Sequence, residues 1–454
     1  MANTLVESLR LKDTRKKILY TLAILVVTRI GAYLPIPGIN PSAVLNYYSS
    51  YSNSFTEYLN FFSGGAFANF SIFMLGVMPY ISTQIIIQLL MVVIPALKKL
   101  AEDPQGSKKI QQYTRYGTIL VCAIQAAAAS VYANSIPGAL AIPTGAFIPV
   151  AIISVTAGSM LMVWLGERIT QKGIGNGISL LIFAGIVARI PSAFYTMVTG
   201  VANHTINPVS LIVVIIMFFF VVALVIYEEK GQRKITVLYA NRQVGNKMYR
   251  GQNTFFPIKI NPSGVIPVIF ASTLLSFPLQ LGYNSNIKWL QAVANFLDPQ
   301  RAPYLIIYTL LILGFAYFYT SLVLRPDDIA ENVRSNGGTV PGVGTGFKKD
   351  PKNHNVVYNK ETGKPVSVLE DYLRKVINRV AFSGAIFLAF IALIPTLIQL
   401  IFNLPSDVAM LFGGTSLIIM VGCELDTVNQ LEAELGQHNI SRDYKSKKRK
   451  TNKI

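Results

Sequence analysis

The 454-residue chain contains two cysteines and three histidines. Cys122 and Cys423 lie in separate apolar runs with no Cys-x-x-Cys spacing, which excludes a disulfide framework and a cysteine-based zinc site. His204, His354 and His438 are scattered, and none has a partner at metal-ligand spacing. No Gly, four residues, Gly-Lys-Ser/Thr string occurs, so ATP is not bound by that device. GIGNGIS (Gly173–Ser179) resembles a glycine nucleotide loop only superficially. It lies between two apolar runs, without the preceding strand a dinucleotide fold requires, and is expected to be a tight turn. Carboxylates are also few, 22 in all, and almost none lies deep in an apolar run; Glu424 and Asp426 stand at the end of the last one. Ion-coupled carriers usually bind the driving ion on ionisable groups within the membrane, so this scarcity weighs against a coupled solute carrier. No nucleophile–base arrangement is found, and neither an enzyme nor a cofactor or metal is expected.

What the chain has in abundance is apolar length. Residues are 52% hydrophobic and 14% charged, too apolar for an ordinary soluble domain. Apolar runs fall at about 18–36, 74–95, 117–134, 147–166, 178–198, 208–227, 263–281, 303–324, 380–401 and 408–425. Each approaches the roughly 20 residues that a helix needs to cross the hydrocarbon layer. Helices satisfy their own backbone groups there, and the alternating ten-residue segments of a β-barrel are missing. The first run follows a positive segment but is too long for a signal-peptide core and has no cleavage site of the usual form. It is expected to be a retained anchor.

Thirty-six of the forty Lys and Arg residues fall in six short segments between these runs. The four others are Arg29, Arg189, Lys288 and Arg301. Basic loops stay cytosolic because translocating them is opposed by the membrane potential and by anionic lipid. Two crossings in each of five gaps then give ten spans with both termini cytosolic. The net charge of +18 is spread over loops rather than gathered on one face, so DNA is not expected as a partner, while contact with ribosomal RNA stays open. The expected fold class is an all-α, polytopic membrane protein of ten helices in two five-helix halves. An odd number of spans per half forces the halves into inverted orientation, an arrangement that places a functional path at their interface. The expected division is 1–17, a cytosolic N-terminus; 18–200, the first half; 201–427, the second half; and 428–454, a basic cytosolic tail. Long basic loops at 228–261 and 325–380 point to a large cytosolic partner.

The segment before the second span breaks the pattern. Residues 61–73 are moderately apolar, contain Gly64 and Gly65, and are too short to cross. Such a piece is interfacial or re-entrant; as a re-entrant piece it would be a short helix in the mouth of a cavity, where irregular backbone is tolerated. Polar groups within the runs are sparse: Arg29 in the first; Ser82, Thr83, Gln84 and Gln88 in the second; Gln125 in the third; Ser272 and Thr273 in the seventh. They are read either as helix–helix hydrogen-bonding groups or as a weakly hydrated seam.

Six strings then add up to a family. MPYISTQIIIQLL, QYTRYGTIL, ITQKGIGNGISLLIFAGIV, GQRKITVLYANRQVG, NPSGVIPVIFASTLL and FGGTSLIIMVG closely resemble the corresponding segments of the bacterial SecY family. Its members are the large subunit of the general protein-translocation channel. The resemblance runs from about Leu11 to Glu434. It implies an hourglass pore between the two halves that passes unfolded preproteins and releases transmembrane segments sideways into lipid. Matching by motif places a hydrophobic pore ring at Val77, Ile81, Ile182, Ile269 and Ile419. The same matching places a plug at Ser63, Gly64, Gly65, Ala66, Phe67, Ala68, Asn69 and Phe70, within 61–73. A lateral gate is implied at Gln88, Gln125, Ser272 and Thr273. Docking of cytosolic partners is implied on the two long loops, with Arg233, Lys234, Arg242, Lys348, Lys349 and Lys352 as its charges. The implied partners are SecE and SecG as small membrane subunits, the SecA motor, the translating ribosome, preproteins and signal peptides, together with anionic lipid. The implied location is the bacterial cell membrane.

The chain departs from the family in one loop. Members often read GIRPG after the eighth span, whereas VPGVGTGF places Gly344 where that arginine would stand, followed by extra sequence at about 347–364. An accessory, substrate-dedicated paralogue and an inverted-repeat solute transporter or ion channel are the alternative readings.

Overall fold

A computed structural model describes residues 11–51, 60, 63–204, 207–239, 242–244, 247–249, 254–283, 288–298, 301–344, 346–348, 356, 358, 365–402 and 414–451. Helices dominate. In chain order they are α1 (Lys12–Gly31), α2 (Pro41–Tyr51), α3 (Met78–Val93), α4 (Pro95–Glu102), α5 (Pro104–Asn134), α6 (Thr144–Lys172), α7 (Gly177–Ala202) and α8 (Pro208–Lys230). After a stretch of strands come α9 (Ile266–Tyr283), α10 (Lys288–Phe296), α11 (Ala302–Val323), α12 (Pro326–Ser335), α13 (Val368–Phe402) and α14 (Gly414–Thr451). Each of the ten apolar runs overlaps one of these helices.

Six spans among the described residues are long and apolar enough to cross a membrane, on α5, α6, α7, α8, α11 and α13. A seventh is counted if α3 and α4, which meet at a 106° bend, are taken as one broken span. Two others fall short for physical reasons: α1 opens with Lys12, Asp13, Arg15, Lys16 and Lys17, and α9 has only 18 residues. The start of the tenth run lies outside the described residues. The chain is a multi-pass membrane protein. Helix α5, at 31 residues, extends about 46 Å, well beyond a hydrocarbon layer of about 30 Å. Its charged first turns, with Lys108, Lys109 and Arg115, therefore extend beyond the apolar part.

Local chemistry sets the breaks. Pro79, Pro95 and Pro104 stand in the first turns of α3, α4 and α5, where the missing N–H costs nothing. Asp103 caps α5 by accepting from the Gly106 N–H at 3.1 Å. Asn176 caps α7 by accepting from Ile178 and Ser179. The turn at 173–176 is tied to α1 and α14. The Ile174 N–H donates to Thr21 Oγ1 at 3.1 Å, and the Gly175 N–H donates to Gln430 Oε1 at 2.7 Å. Lys17 pairs with Glu434 at 2.5 Å on the same end of the bundle, over an apolar cluster of Ile174, Leu431 and Leu435.

The basic loops are not helical throughout, which corrects the all-α expectation. Strand β1 (Gln232–Tyr239) pairs antiparallel with β4 (Thr254–Lys259), in the register Gln232↔Lys259 to Val237↔Thr254. β1 also pairs with the two-residue β5 (Gly338–Thr339). Strands β2 (Arg242–Val244) and β3 (Lys247–Tyr249) form a separate hairpin. The period of two along β1 buries Ile235 and Val237 and leaves Lys234 exposed. Ile235, Val237 and Ile258 pack against Ala330 and Val333 of α12 and Leu373 and Ile377 of α13.

The chain forms two compact units, one of residues 1–219, 272–306 and 394–454, the other of 220–271 and 307–393. The apolar core of the first gathers around residues 63–77 and the facing sides of α5 and α6.

Candidate functional site

Residues 63–77, between α2 and α3, form a chain of turns rather than the short helix expected. The reason is local: Gly64, Gly65, Phe70 and Gly76 all adopt positive φ, which a right-handed helix cannot accommodate. Asn60 organises the fold of this segment. Its carbonyl accepts from the Gly65 N–H at 2.9 Å and from Ser63 Oγ at 3.2 Å, and its side-chain Oδ1 accepts from the Ala68 N–H at 2.9 Å. Ser63 Oγ accepts in turn from the Phe67 N–H at 3.0 Å. Residues 61 and 62, the start of the expected re-entrant piece, lie outside the described residues.

The segment is buried. Ser63, Ala66, Phe67, Ala68 and Phe70 are buried, and Gly64, Gly65 and Asn69 are half-buried. The Phe67 and Phe70 rings meet at a tilt, 6.0 Å between centroids, and Phe67 stacks on Tyr132 at 6.3 Å. Around them sit Ala126, Ala129 and Ala133 of α5 and Phe147, Ala151 and Val155 of α6. Alanines three and four apart on α5 share one face, and their small side chains leave room for the two rings. On α6, a Cβ at Gly158 would run into the Ile72 carbonyl oxygen. The segment is also stitched to the end of α1. The Ile36 N–H donates to the Phe70 carbonyl, the Ile72 N–H to the Leu34 carbonyl, and Asn69 Nδ2 to the Ala32 carbonyl at 3.5 Å.

The expected ring residues fall on four helices and one helix cap. Val77 caps α3 and Ile81 follows four residues later, so both lie on one face and both are buried. Ile182 on α7 and Ile419 on α14 are buried, and Ile269 on α9 is half-buried. Ile419 closes a run of four buried residues from Ser416.

Of the expected gate residues, Gln125 on α5 and Ser272 and Thr273 on α9 are buried. Gln88 on α3 is half-buried, and its Oε1 is buried without a partner among the described residues. The neighbouring hydroxyls do not bridge helices. Ser82 donates to the Met78 carbonyl and Thr83 to the Pro79 carbonyl, both at 2.9 Å within α3. This back-bonding satisfies the hydroxyls locally. Thr83 meets α5 at Gly117, where a Cβ would lie 2.6 Å from Thr83 Cγ2.

Of the expected docking charges, Arg233 and Lys234 are exposed on β1 and Arg242 lies in β2. Lys348 Nζ pairs with Asp371 Oδ1 at 2.6 Å, so its charge is engaged within the chain. Lys349 and Lys352 lie outside the described residues. Gly344 is exposed, and among the described residues a Cβ there would meet Val368 Cγ1 at 3.9 Å, an ordinary contact.

The SecY family model matches residues 71–349 and 360–428. The chain belongs to the SecY family. It is 44% identical over 439 residues to the protein translocase subunit SecY of Borreliella burgdorferi, covering 96% of this chain and 95% of the relative. It is 40% identical over 443 residues to the subunit of Aquifex aeolicus, covering 96% and 97% respectively. With that of Escherichia coli K12 it shares 36% identity over 450 residues, covering 97% and 95%. Among solved structures, the structure of a protein conducting channel superposes with a TM-score of 0.62 at 20% identity, covering 92% of each chain. Sec61 in the canine ribosome–channel complex gives 0.59 at 18% identity, again covering 92% of each chain. These two likenesses concern the fold.

Sequence reasoning missed three parts of this SecY-family site: Asn60 as the organiser of the turns, the alanine face of α5, and Gly158. The alanines carry a signal in the run Ala126–Ala129. Gly158 carries none, because its role depends on Ile72, distant in the chain, and Asn60 carries none because its bonds to Ser63, Gly65 and Ala68 follow no helical or strand period.

Proposed function

We propose that this chain is the pore-forming subunit of a protein translocase in the bacterial cell membrane, passing unfolded preproteins across and releasing transmembrane segments sideways. The observation that carries this reading is the buried, turn-rich segment at 63–77 seated in its own helix bundle, within a chain that belongs to the SecY family. Segment 63–70 acts as the plug. Val77, Ile81, Ile182, Ile269 and Ile419 act as the ring, which resists wetting because methyl groups offer water no hydrogen bonds. The helices form ten spans in two inverted halves, with both termini cytosolic, and the first and second halves divide near residue 200.

The energetics favour such a conduit. An unassisted chain would expose charges costing about 2.5–3.5 kcal/mol each at the bilayer centre, whereas apolar residues gain about 0.3–0.6 kcal/mol each on entering lipid. A wet path with a sideways exit serves both classes of passenger. The seam lies at Gln88, Gln125, Ser272 and Thr273. Drive comes from outside the chain, from a motor such as SecA or from the ribosome, docked on the loops that carry Arg233, Lys234, Arg242 and the lysines at 348, 349 and 352. SecE and SecG complete the complex.

The test uses the complete complex in vesicles, with a preprotein and the motor. Translocation of the preprotein, with ion conductance that rises when the preprotein is trapped, is expected. Conductance indifferent to preprotein would favour the ion-channel reading. A disulfide joining α3 or α5 to α9 near Ser272 is expected to stop secretion and membrane insertion, with reduction restoring both. Full secretion with that bridge closed would remove the seam from the proposal.

A further inference from the structure

Arg29 stands in the last turn of α1 and is the only charged residue of the first apolar run. A cation at a helix C-terminus is favoured by that helix's own carbonyls, and this would account for a guanidinium folded back on α1. Arg29 does otherwise. Its Nη1 donates to the Gly64 carbonyl at 3.1 Å, thirty-five residues along the chain. Its Nε is buried and has no partner among the described residues. Gly64 has a φ of +64°, and a Cβ there would lie 2.6 Å from Arg29 Nη1 and 2.7 Å from the Gly185 Cα. The carbonyl is within reach of the arginine because position 64 has no side chain.

A second guanidinium reaches the same segment. Arg189 on α7 donates from Nη1 to the Asn60 carbonyl at 3.4 Å. That carbonyl also accepts from the Gly65 N–H, and Asn60 Oδ1 holds the Ala68 N–H. The two arginines therefore grip the two carbonyls at the start of the turn system. Basic residues at membrane depth are costly and mark function by default. Arg29 donates to the Gly64 carbonyl and Arg189 to the Asn60 carbonyl. Charge-assisted bonds to carbonyl acceptors are stronger than neutral ones.

We propose that Arg29 and Arg189 are positioning residues that form a two-armed latch on the plug, setting how readily it leaves its seat. The inference rests on the plug reading above. It predicts that the arginines govern the rate at which the segment departs, whereas the seat formed by α5 and α6 governs where it returns.

The experiment uses the complete channel complex in membranes, with Cys122 and Cys423 replaced and a single cysteine at Ala66, which is fully buried. A membrane-impermeant maleimide labels that cysteine only when the segment moves out. R29Q combined with R189Q is expected to speed labelling of the resting complex by roughly tenfold or more, the scale set by losing charge-assisted hydrogen bonds. R29K retains a donor and is expected to restore much of the slow rate. G64A, which keeps both arginines but pushes Arg29 aside, is expected to match R29Q, so the test survives if an arginine variant fails to assemble. A parallel deletion of 64–69 tests the plug reading alone, through resting ion leak. If the deletion leaks while the arginine variants and G64A label at the parental rate, the latch is overturned and the plug stands. If the deletion does not leak, the plug reading falls and the latch with it.

Discussion

Lys348 Nζ lies 2.6 Å from one oxygen of Asp371, and Lys375 Nζ lies 3.1 Å from the other. One carboxylate in the first turn of α13 thus holds two cations. The Lys348 N–H also donates to the Val366 carbonyl at 2.8 Å, so the base of the extra sequence at 347–364 is pinned to the start of α13. Half-exposed pairs of this kind contribute at most about 1 kcal/mol. D371N is therefore expected to change stability little, while freeing Lys348 and Lys375 for an acidic surface of the motor or ribosome. Binding to that partner should strengthen, most at low salt, since attraction is screened beyond about 8–10 Å at physiological ionic strength. Reversing Lys348, Lys349 and Lys352 to Glu is expected to weaken binding with the same salt dependence. Equal affinities for all three proteins across a salt series would make the loop an inert insertion.

Gly158 presents a bare backbone to the Ile72 carbonyl, and any Cβ there would collide with it. G158V adds three carbons at a contact where the neighbour is backbone and cannot rotate away. Overpacking of this kind costs about 1–3 kcal/mol. Because the collision falls on the plug side, resting ion leak should rise more than global stability falls. Comparison with a valine on the exposed face of α6, as in A157V, separates the two effects. Equal leak from both variants would show that the seat at Gly158 does not hold the plug.

The helical character of the apolar runs was legible because apolar length is a property of composition, and a run of about 20 residues satisfies its backbone in a membrane as a helix. The small sheet was not. Its alternation, Ile235 and Val237 against Lys234 and Thr236, lies inside a segment whose positive charge dominated the reading. The turns at 63–77 were misread as a helix because their shape is set by Asn60 and by four residues at positive φ, not by periodicity. Arg29 was visible as a lone charge in an apolar run, but its acceptor is a backbone carbonyl, and a sequence pattern carries no trace of such a partner. The pairing of Lys348 with Asp371 left no trace in the sequence because Asp371 stands beyond the extra loop.

The ring predicts a water-permeability phenotype. Ile81 and Ile419 are both buried, and neither offers water a hydrogen bond. Replacing both with Asn introduces donors and acceptors into the proposed constriction, which would remove the barrier that dewetting provides. Resting conductance is expected to rise in an assembled complex that still translocates preprotein. Background conductance in a stably assembled double variant would assign both residues to ordinary helix packing.

Topology turns on α9. Between Lys234 on β1 and Lys288 at the start of α10, both exposed, α9 is the one helix among the described residues. It has 18 residues, about 27 Å of helix, against a hydrocarbon layer of about 30 Å. A span this short crosses by local thinning of the bilayer, at a cost of fractions of a kcal/mol per Å. The proposed topology needs that crossing, and the charge distribution favours it: seven basic residues lie in 228–261, before α9, and only Lys288 and Arg301 lie between α9 and α11. Single cysteines at Lys234 and Lys288, in a background without Cys122 and Cys423, are therefore expected to react with an impermeant thiol reagent from opposite faces. The residue at 234 should label only after the cytosolic face is opened. Labelling of both from one face would make α9 a re-entrant segment, remove one crossing, and with it the inverted arrangement of two five-helix halves.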